Sequence, residues 1–152
     1  VRTRLPKARL VLLGGGEPGY IEEMQDLARS LGLGDSVIFA GVRSNMQGFY
    51  DAMDAFLLPS LFEGLPVVLV EAQTAGLPCF VADTVDKGAA FTDRVRFLPL
   101  HDEAAWANTI AGASLRRDPD ARRKAVDAGY DIHHSAEILQ EFYLRRYAEV
   151  TR

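Results

Sequence analysis

Residues 60–72 read Ser-Leu-Phe-Glu-Gly-Leu-Pro-Val-Val-Leu-Val-Glu-Ala, and the rest of the chain is organised around this stretch. Pro66 suits the first position of a helix, because an N–H group there would have no partner inside the helix in any case. Gly76 and Pro78 are typical of the end of a helix. The stretch therefore predicts a short loop that leads into a helix over residues 66–75.

Two glutamates flank the start of this predicted helix. Glu63 falls in the loop, and Glu71 falls about a turn and a half into the helix. The free N–H groups of the helix N-terminus lie between them and are a natural seat for phosphate. On the plain interpretation, both glutamates are solvated surface charges. The sharper interpretation is that Glu71 lies in buried surroundings, because its sequence neighbours are apolar; ribose hydroxyls would then serve as its hydrogen-bond partners.

Apolar runs alternate with segments of helical spacing along the whole chain. This alternation predicts an α/β fold, a Rossmann-like parallel sheet with helices on both faces. Ligands of such sheets bind beyond the carboxyl ends of the strands, where the loops 14–19, 41–45 and 59–66 are expected. The predicted strands are 9–13, 37–40, 55–58, 79–82 and 95–98.

The glycines Gly14, Gly16 and Gly19 have the spacing of a dinucleotide-binding fingerprint. The following strand, 37–40, does not end in the acidic residue that would bind ribose, and Pro18 removes a backbone amide that a pyrophosphate would use. NAD binding is therefore disfavoured. A close backbone approach to another ligand and a simple tight turn are equally good interpretations.

Two further motifs could suggest a metal, and both have a plainer interpretation. Asp118-Pro119-Asp120 has an Asp-x-Asp form, but it lies between two late helices, where a helix cap that starts a helix through Ala128 is the stronger interpretation. His133-His134 has no ligand partner at a suitable spacing, which favours a solvated turn. The arginines of 116–123 are expected on exposed helix faces. Ser135 is expected to cap a last helix that turns four apolar residues inward: Ile138, Leu139, Phe142 and Tyr143.

Length and composition indicate one domain over residues 1–152 with a substantial core. The net charge of −4 argues against nucleic acid as a partner. The single Cys79 cannot form an internal disulfide and is expected as a buried side chain in a reducing compartment. No apolar stretch approaches the roughly 20 residues that cross a membrane. The chain begins without Met, so we expect a fragment of a larger protein.

The pair Glu63 and Glu71, with seven residues between them, closely resembles the Glu-x7-Glu signature of retaining glycosyltransferases of the GT-B fold, of the glycosyltransferase family 4 type. The later segments 95–100 and 128–132 resemble members from exopolysaccharide and capsule gene sets. Other stretches are similar to the donor half of the same family: 10–16, 31–41, 53–60 and 73–78.

The resemblance implies a role for each part of the motif. Glu71 would bind the ribose hydroxyls of the donor, and Glu63, as the catalytic residue, would hold the sugar that is transferred. The loop of Val42 and Arg43 would lie along the nucleobase. Donor binding would also involve backbone groups, for the diphosphate at Gly64, Leu65 and Val67, and by close approach at Gly14 and Gly16.

The resemblance also implies partners and a location. The chain would be the nucleotide-sugar-binding half of a two-domain enzyme, which uses a UDP- or GDP-linked donor and needs neither a metal nor another cofactor. A saccharide or lipid-linked acceptor would bind through an N-terminal domain, so the chain alone would bind donor only. The enzyme would be cytoplasmic, with the inner face of the membrane as an alternative. A non-catalytic nucleotide-sugar-binding module is the main competing interpretation, and an NAD-dependent oxidoreductase domain is a weaker one.

Overall fold

Five short strands form two parallel sheets in residues 1–150, the part of the chain that the computed structural model describes. One sheet pairs β1 with β2, and the other has the order β3-β4-β5. The α/β fold class, with parallel strands and intervening helices, is confirmed. The strands are β1 (Leu10–Leu13), β2 (Val37–Gly41), β3 (Phe56–Leu58), β4 (Cys79–Ala82) and β5 (Val95–Leu98).

Helices alternate with the strands, because parallel strands can be joined only by a crossover connection. The chain divides into two units, Val1–Phe49 and a second unit that begins at Tyr50. The helices are α1 (Pro18–Ser30), α2 (Met46–Ala52), α3 (Val67–Thr74), α4 (Glu103–Gly112), α5 (Ala121–Asp127) and α6 (Ile132–Val150).

Strand β4 is the centre of the second unit. All four of its residues are buried, and β3 and β5 pair with its two edges. From α3, Leu69 and Ala72 are fully buried as well. Cys79 is a free, buried thiol, as predicted, and burial raises its pKa to about 12. The predicted limits of β4 and β5 are confirmed to the residue.

Helix α3 is one residue shorter at each end than the sequence predicts. Pro66 is the cap residue that precedes the helix rather than its first residue. Its carbonyl oxygen accepts hydrogen bonds from the N–H groups of Leu69 at 2.9 Å and Val70 at 3.2 Å. Beyond the helix, Gly76 has a φ of 78°, which a residue with a side chain rarely adopts. Pro66 and Gly76 therefore mark the two ends of the helix, as expected. The hydrogen bonds of the first turn are accepted by the carbonyl of Pro66.

The segment before α5 holds the end of α3, which is a different role from the one predicted. Asp118 is buried, and its Oδ2 accepts a hydrogen bond from Lys124 Nζ at 2.6 Å. This hydrogen bond lowers the pKa of Asp118. The backbone N–H of Asp118 donates to the carbonyl of Gly76 at 2.9 Å. The predicted cap over 118–120 is therefore wrong in detail, since α5 begins at Ala121 and Pro119 precedes its cap residue.

Arg117 is exposed, as expected, but it precedes α5 and does not lie on a helix face. Its guanidinium donates hydrogen bonds to backbone carbonyls of two other elements, since these carbonyls end helices and lack intrahelical partners. The distances are 2.7 Å to Ala75, 2.7 Å to Tyr50, 2.9 Å to Asp51 and 2.7 Å to Met53.

Helix α6 also differs from its prediction. It begins at Ile132, and the Asp131 side chain accepts a hydrogen bond from the N–H of His134 at 2.8 Å, so Ser135 is not the cap. The two histidines lie in the helix rather than in a turn. Helical spacing identifies an apolar face but not the surface that covers it. Four side chains expected inward are exposed, at 57%, 54%, 51% and 63% for Ile138, Leu139, Phe142 and Tyr143.

Substituting Gly76 by alanine should destabilise the fold. A Cβ atom there would lie 2.7 Å from the carbonyl oxygen of Asp118, and the positive φ adds backbone strain. We expect Gly76→Ala to lower the free energy of unfolding by about 1–3 kcal/mol, measured by urea denaturation. Gly112→Ala is the control, because an added Cβ there meets no atom within 4 Å. Equal stability of the two variants would contradict the packing described here.

Candidate active site

Glu63 lies in the loop that follows β3, as predicted, and is half-buried. The hydroxyl of Ser60 donates a hydrogen bond to Glu63 Oε1 at 2.7 Å. Ser60 is itself held, because the hydroxyl of Thr84 donates to its carbonyl oxygen at 2.6 Å. Ser60 follows β3 and Thr84 follows β4, so the residues that orient this carboxylate lie at the ends of two neighbouring strands. The hydrogen bond from Ser60 fixes one carboxylate oxygen.

The N-terminus of α3 follows this loop and faces solvent. Leu65 is 60% exposed, Val67 is 57% exposed and Val68 is 40% exposed. The first N–H groups of a helix have no carbonyl partner inside it, and the helix dipole gives this end a partial positive charge. The structure therefore gathers Gly64, Leu65 and Val67 at an exposed helix end that can receive an anion, with Glu63 just before it in the chain.

Glu71 lies one turn further along α3, about 6 Å along the helix axis from Val67. Its surroundings are not buried as the sequence suggested, because Glu71 is exposed and shares the outward face of the helix with Val67 and Val68. The buried face consists of Leu69, Ala72 and Gln73. Sequence neighbours in a helix point in different directions, which explains the error.

The partner of Glu71 is Tyr50, which the sequence did not reveal. The Tyr50 hydroxyl donates a hydrogen bond to Glu71 Oε2 at 2.8 Å. Tyr50 is only 2% exposed, and burial together with this carboxylate raises its pKa well above the ordinary value for tyrosine. Tyr50 therefore stays protonated and remains a donor. Its placement on the inner face of α2 was the available signal, but its partner lies 21 residues away in sequence.

Gln73 is a second residue that sequence reasoning missed. Its side chain is fully buried and donates to the carbonyls of Leu69 at 3.3 Å and Ala89 at 2.9 Å. Its Oε1 accepts from the N–H groups of Phe91 at 2.9 Å and Thr92 at 3.1 Å. An amide provides both donors and acceptors, so it can satisfy groups of both kinds. Gln73 thus connects the segment after β4 to α3.

The candidates in the first unit lie where β1 and β2 end. Gly14 has a φ of 133°, and its N–H donates to the carbonyl of Gly41 at 3.0 Å. A Cβ at Gly15 would lie 3.2 Å from Val42 Cγ2, so the two loops are close to each other. Val42 is 76% exposed. The positive φ of Gly14 accounts for the tight turn after β1.

Across residues 1–150, no group of three or more His, Cys, Asp or Glu side chains could hold a metal ion. None of the helices in this described part of the chain combines the length and apolar character needed to cross a bilayer.

Comparison with known proteins identifies the family. A sequence profile described as "Glycosyl transferases group 1" matches residues 1–114. The chain belongs to this family. The resemblance drawn from Glu63 and Glu71 is thereby confirmed at the level of the family.

Two relatives show what share of a related protein's length this chain covers. EpsF of Bacillus subtilis, a protein named as a glycosyltransferase, is 36% identical over 148 residues, which are 94% of this chain and 38% of EpsF. A UDP-Gal:α-D-GlcNAc-diphosphoundecaprenol α-1,3-galactosyltransferase of Escherichia coli is 35% identical over 151 residues, 92% of this chain and 38% of that enzyme. The chain thus spans well under half the length of these relatives.

The fold is shared with a solved structure. Sucrose-phosphate synthase from Thermosynechococcus elongatus superposes with a TM-score of 0.79 at 23% sequence identity, over 96% of this chain and 40% of that enzyme. At this identity the likeness concerns the fold alone. It confirms the predicted Rossmann-like architecture of GT-B type.

Proposed function

We propose that this chain is the donor-binding part of a retaining glycosyltransferase, which transfers a sugar from a nucleotide sugar to a saccharide or lipid-linked acceptor in cell-surface polysaccharide biosynthesis. The observation that carries the proposal is the solvent-exposed N-terminus of α3 flanked by Glu63 and Glu71, in a chain of the group 1 family. The chain covers 38% of two relatives, which supports binding of the acceptor by a further domain.

The diphosphate of the donor would bind at the N-terminus of α3. The N–H groups of Gly64, Leu65 and Val67 would donate hydrogen bonds to its oxygens, and the helix dipole favours its negative charge. Cleavage of the anomeric C–O bond leaves the electron pair on the diphosphate and positive character on the sugar ring. Amides that are already oriented toward the leaving group stabilise this charge without reorganisation.

The two glutamates would hold the two ends of the donor. Glu71 would accept hydrogen bonds from the ribose hydroxyls, because an ionised carboxylate has only acceptor oxygens and this one is exposed. Glu63 would hold the hydroxyls of the transferred sugar and fix its orientation, with Ser60 fixing the carboxylate in turn. This is a role in positioning the donor sugar, and no covalent step at Glu63 is part of the proposal.

The remaining parts of the proposal rest on the family resemblance. Val42 and Arg43 would contact the nucleobase, and Gly14 and Gly16 would approach the donor through their backbone. The donor would carry UDP or GDP; the name of the galactosyltransferase relative, which includes UDP-Gal, favours UDP. Neither a metal nor another cofactor would take part, and the enzyme would act in the cytoplasm, with the inner face of the membrane as the alternative.

Replacement of Glu71 tests the ribose contact. Glu71→Ala should weaken UDP binding by about 1.5–3 kcal/mol, because a hydrogen bond to a charged group is lost. Isothermal titration of the chain with UDP, GDP and ADP measures the loss. Glu137→Ala, which removes an exposed glutamate of α6, is the matched control. Affinity that is unchanged in Glu71→Ala would rule out the ribose contact.

A separate experiment distinguishes an enzyme from a non-catalytic binding module of the same fold. In the natural polypeptide that contains these residues, Glu63→Ala should lower the rate of sugar transfer by about 10²-fold, because the donor sugar loses its orientation. Affinity for UDP alone should change little, since UDP lacks the sugar. Glu137→Ala again serves as the control. Full transfer activity in Glu63→Ala would refute the catalytic assignment, and the absence of transfer in the unaltered polypeptide would favour the binding module.

A further inference from the structure

Tyr50 is a buried residue whose polar end reaches a solvent-exposed carboxylate. The residue is 2% exposed, yet its hydroxyl lies 2.8 Å from Oε2 of the exposed Glu71. Its ring packs edge-on against Phe56, with 6.3 Å between ring centroids and 64° between ring planes. A tyrosine in a core usually needs a partner for its hydroxyl. Here the near acceptor is Glu71, the residue proposed to bind ribose, and the carbonyl of Val68 is a more distant one at 3.5 Å.

The backbone carbonyl of Tyr50 is also held by a hydrogen bond. The Arg117 guanidinium donates to the carbonyl of Tyr50 at 2.7 Å through Nη2 and to the carbonyl of Ala75 at 2.7 Å through Nη1. Ala75 is the residue that ends α3. One guanidinium therefore joins the main chain of Tyr50 to the helix that carries Glu71. Because a planar guanidinium holds its donors in a rigid fork, this bridge sets the distance between the two elements.

We propose that Tyr50 is a positioning residue for Glu71: its hydroxyl holds Oε2, so that Oε1 is presented to the ribose hydroxyls of the donor. This inference rests on the proposed ribose role of Glu71. A carboxylate that is already held loses less conformational freedom when the ligand arrives, and this improves affinity. The hydrogen bond from a neutral phenol to a carboxylate is charge-assisted and stronger than a neutral pair.

The proposal makes Tyr50 a determinant of selectivity for ribose. Without the hydroxyl, Glu71 can adopt other rotamers on the exposed face of α3, and its contact with ribose weakens. Contacts to the diphosphate at Gly64, Leu65 and Val67 do not involve Tyr50. Removal of the hydroxyl should therefore affect a ribonucleotide and spare an analogue that lacks the ribose hydroxyls.

Isothermal titration of four proteins tests this inference: the unaltered chain, Tyr50→Phe, Glu71→Ala and the double variant. Each is titrated with the diphosphate among UDP, GDP and ADP that binds most tightly, and with its 2′,3′-dideoxy analogue. We expect Tyr50→Phe to reduce the preference for the ribonucleotide by about threefold to tenfold, with the affinity for the dideoxy analogue unchanged. The double variant should match Glu71→Ala, because the two residues act as one unit. Tyr143→Phe, on an exposed position of α6, is the control.

The outcomes separate this inference from the proposed function. If Glu71→Ala abolishes the ribose preference while Tyr50→Phe leaves it unchanged, the positioning role of Tyr50 is wrong and the ribose role of Glu71 stands. If Tyr50→Phe weakens both nucleotides equally, Tyr50 acts only in packing, and the inference is again wrong. If the unaltered chain has no ribose preference, or if no diphosphate binds, the ribose role fails and the inference fails with it.

Discussion

Hydrogen bonds fix the carboxyl end of α3 to the rest of the second unit, so the N-terminal end of the helix can remain exposed to solvent. An eight-residue helix is not stable in water by itself, so tertiary contacts must hold it. Those contacts are the Arg117 hydrogen bond to Ala75, the Asp118 hydrogen bond to Gly76 and the buried amide of Gln73. With these in place, the first N–H groups of α3 can remain exposed without loss of the helix.

The same helix divides its residues between two tasks. Leu69, Ala72 and Gln73 face the core and hold the helix, while Val67 and Glu71 face outward. The outward face has an exposed amide end and a carboxylate about 6 Å further along the axis. This separation allows one short element to contact both a phosphate and the adjoining ribose, which is the arrangement that the proposed donor site requires.

Local signals in the sequence predict α3, with Glu63 in the loop before it and Glu71 within it. Proline and glycine mark the ends of the helix. The ends of the apolar runs that form β4 and β5 can likewise be identified from short-range patterns. The sequence could not predict that Tyr50 meets Glu71 or that Arg117 reaches Tyr50, because these pairs are 21 and 67 residues apart. These contacts depend on how the elements pack, which no local pattern contains.

Errors at Glu71 and in α6 have a common physical cause. In both places the apolar character of nearby residues predicts burial, but side chains such as Val68 and Phe142 are exposed. An apolar side chain is buried only where another surface covers it, and the covering surface does not follow from the periodicity of the helix itself.

A crystal structure of the chain with UDP bound tests the central claim most directly. We predict diphosphate oxygens at about 3 Å from the N–H groups at the start of α3, a ribose hydroxyl at a similar distance from Glu71 Oε1, and Tyr50 still bonded to Oε2. A diphosphate bound elsewhere, for example in the glycine-rich loop after β1 with Glu71 out of contact, would contradict the account.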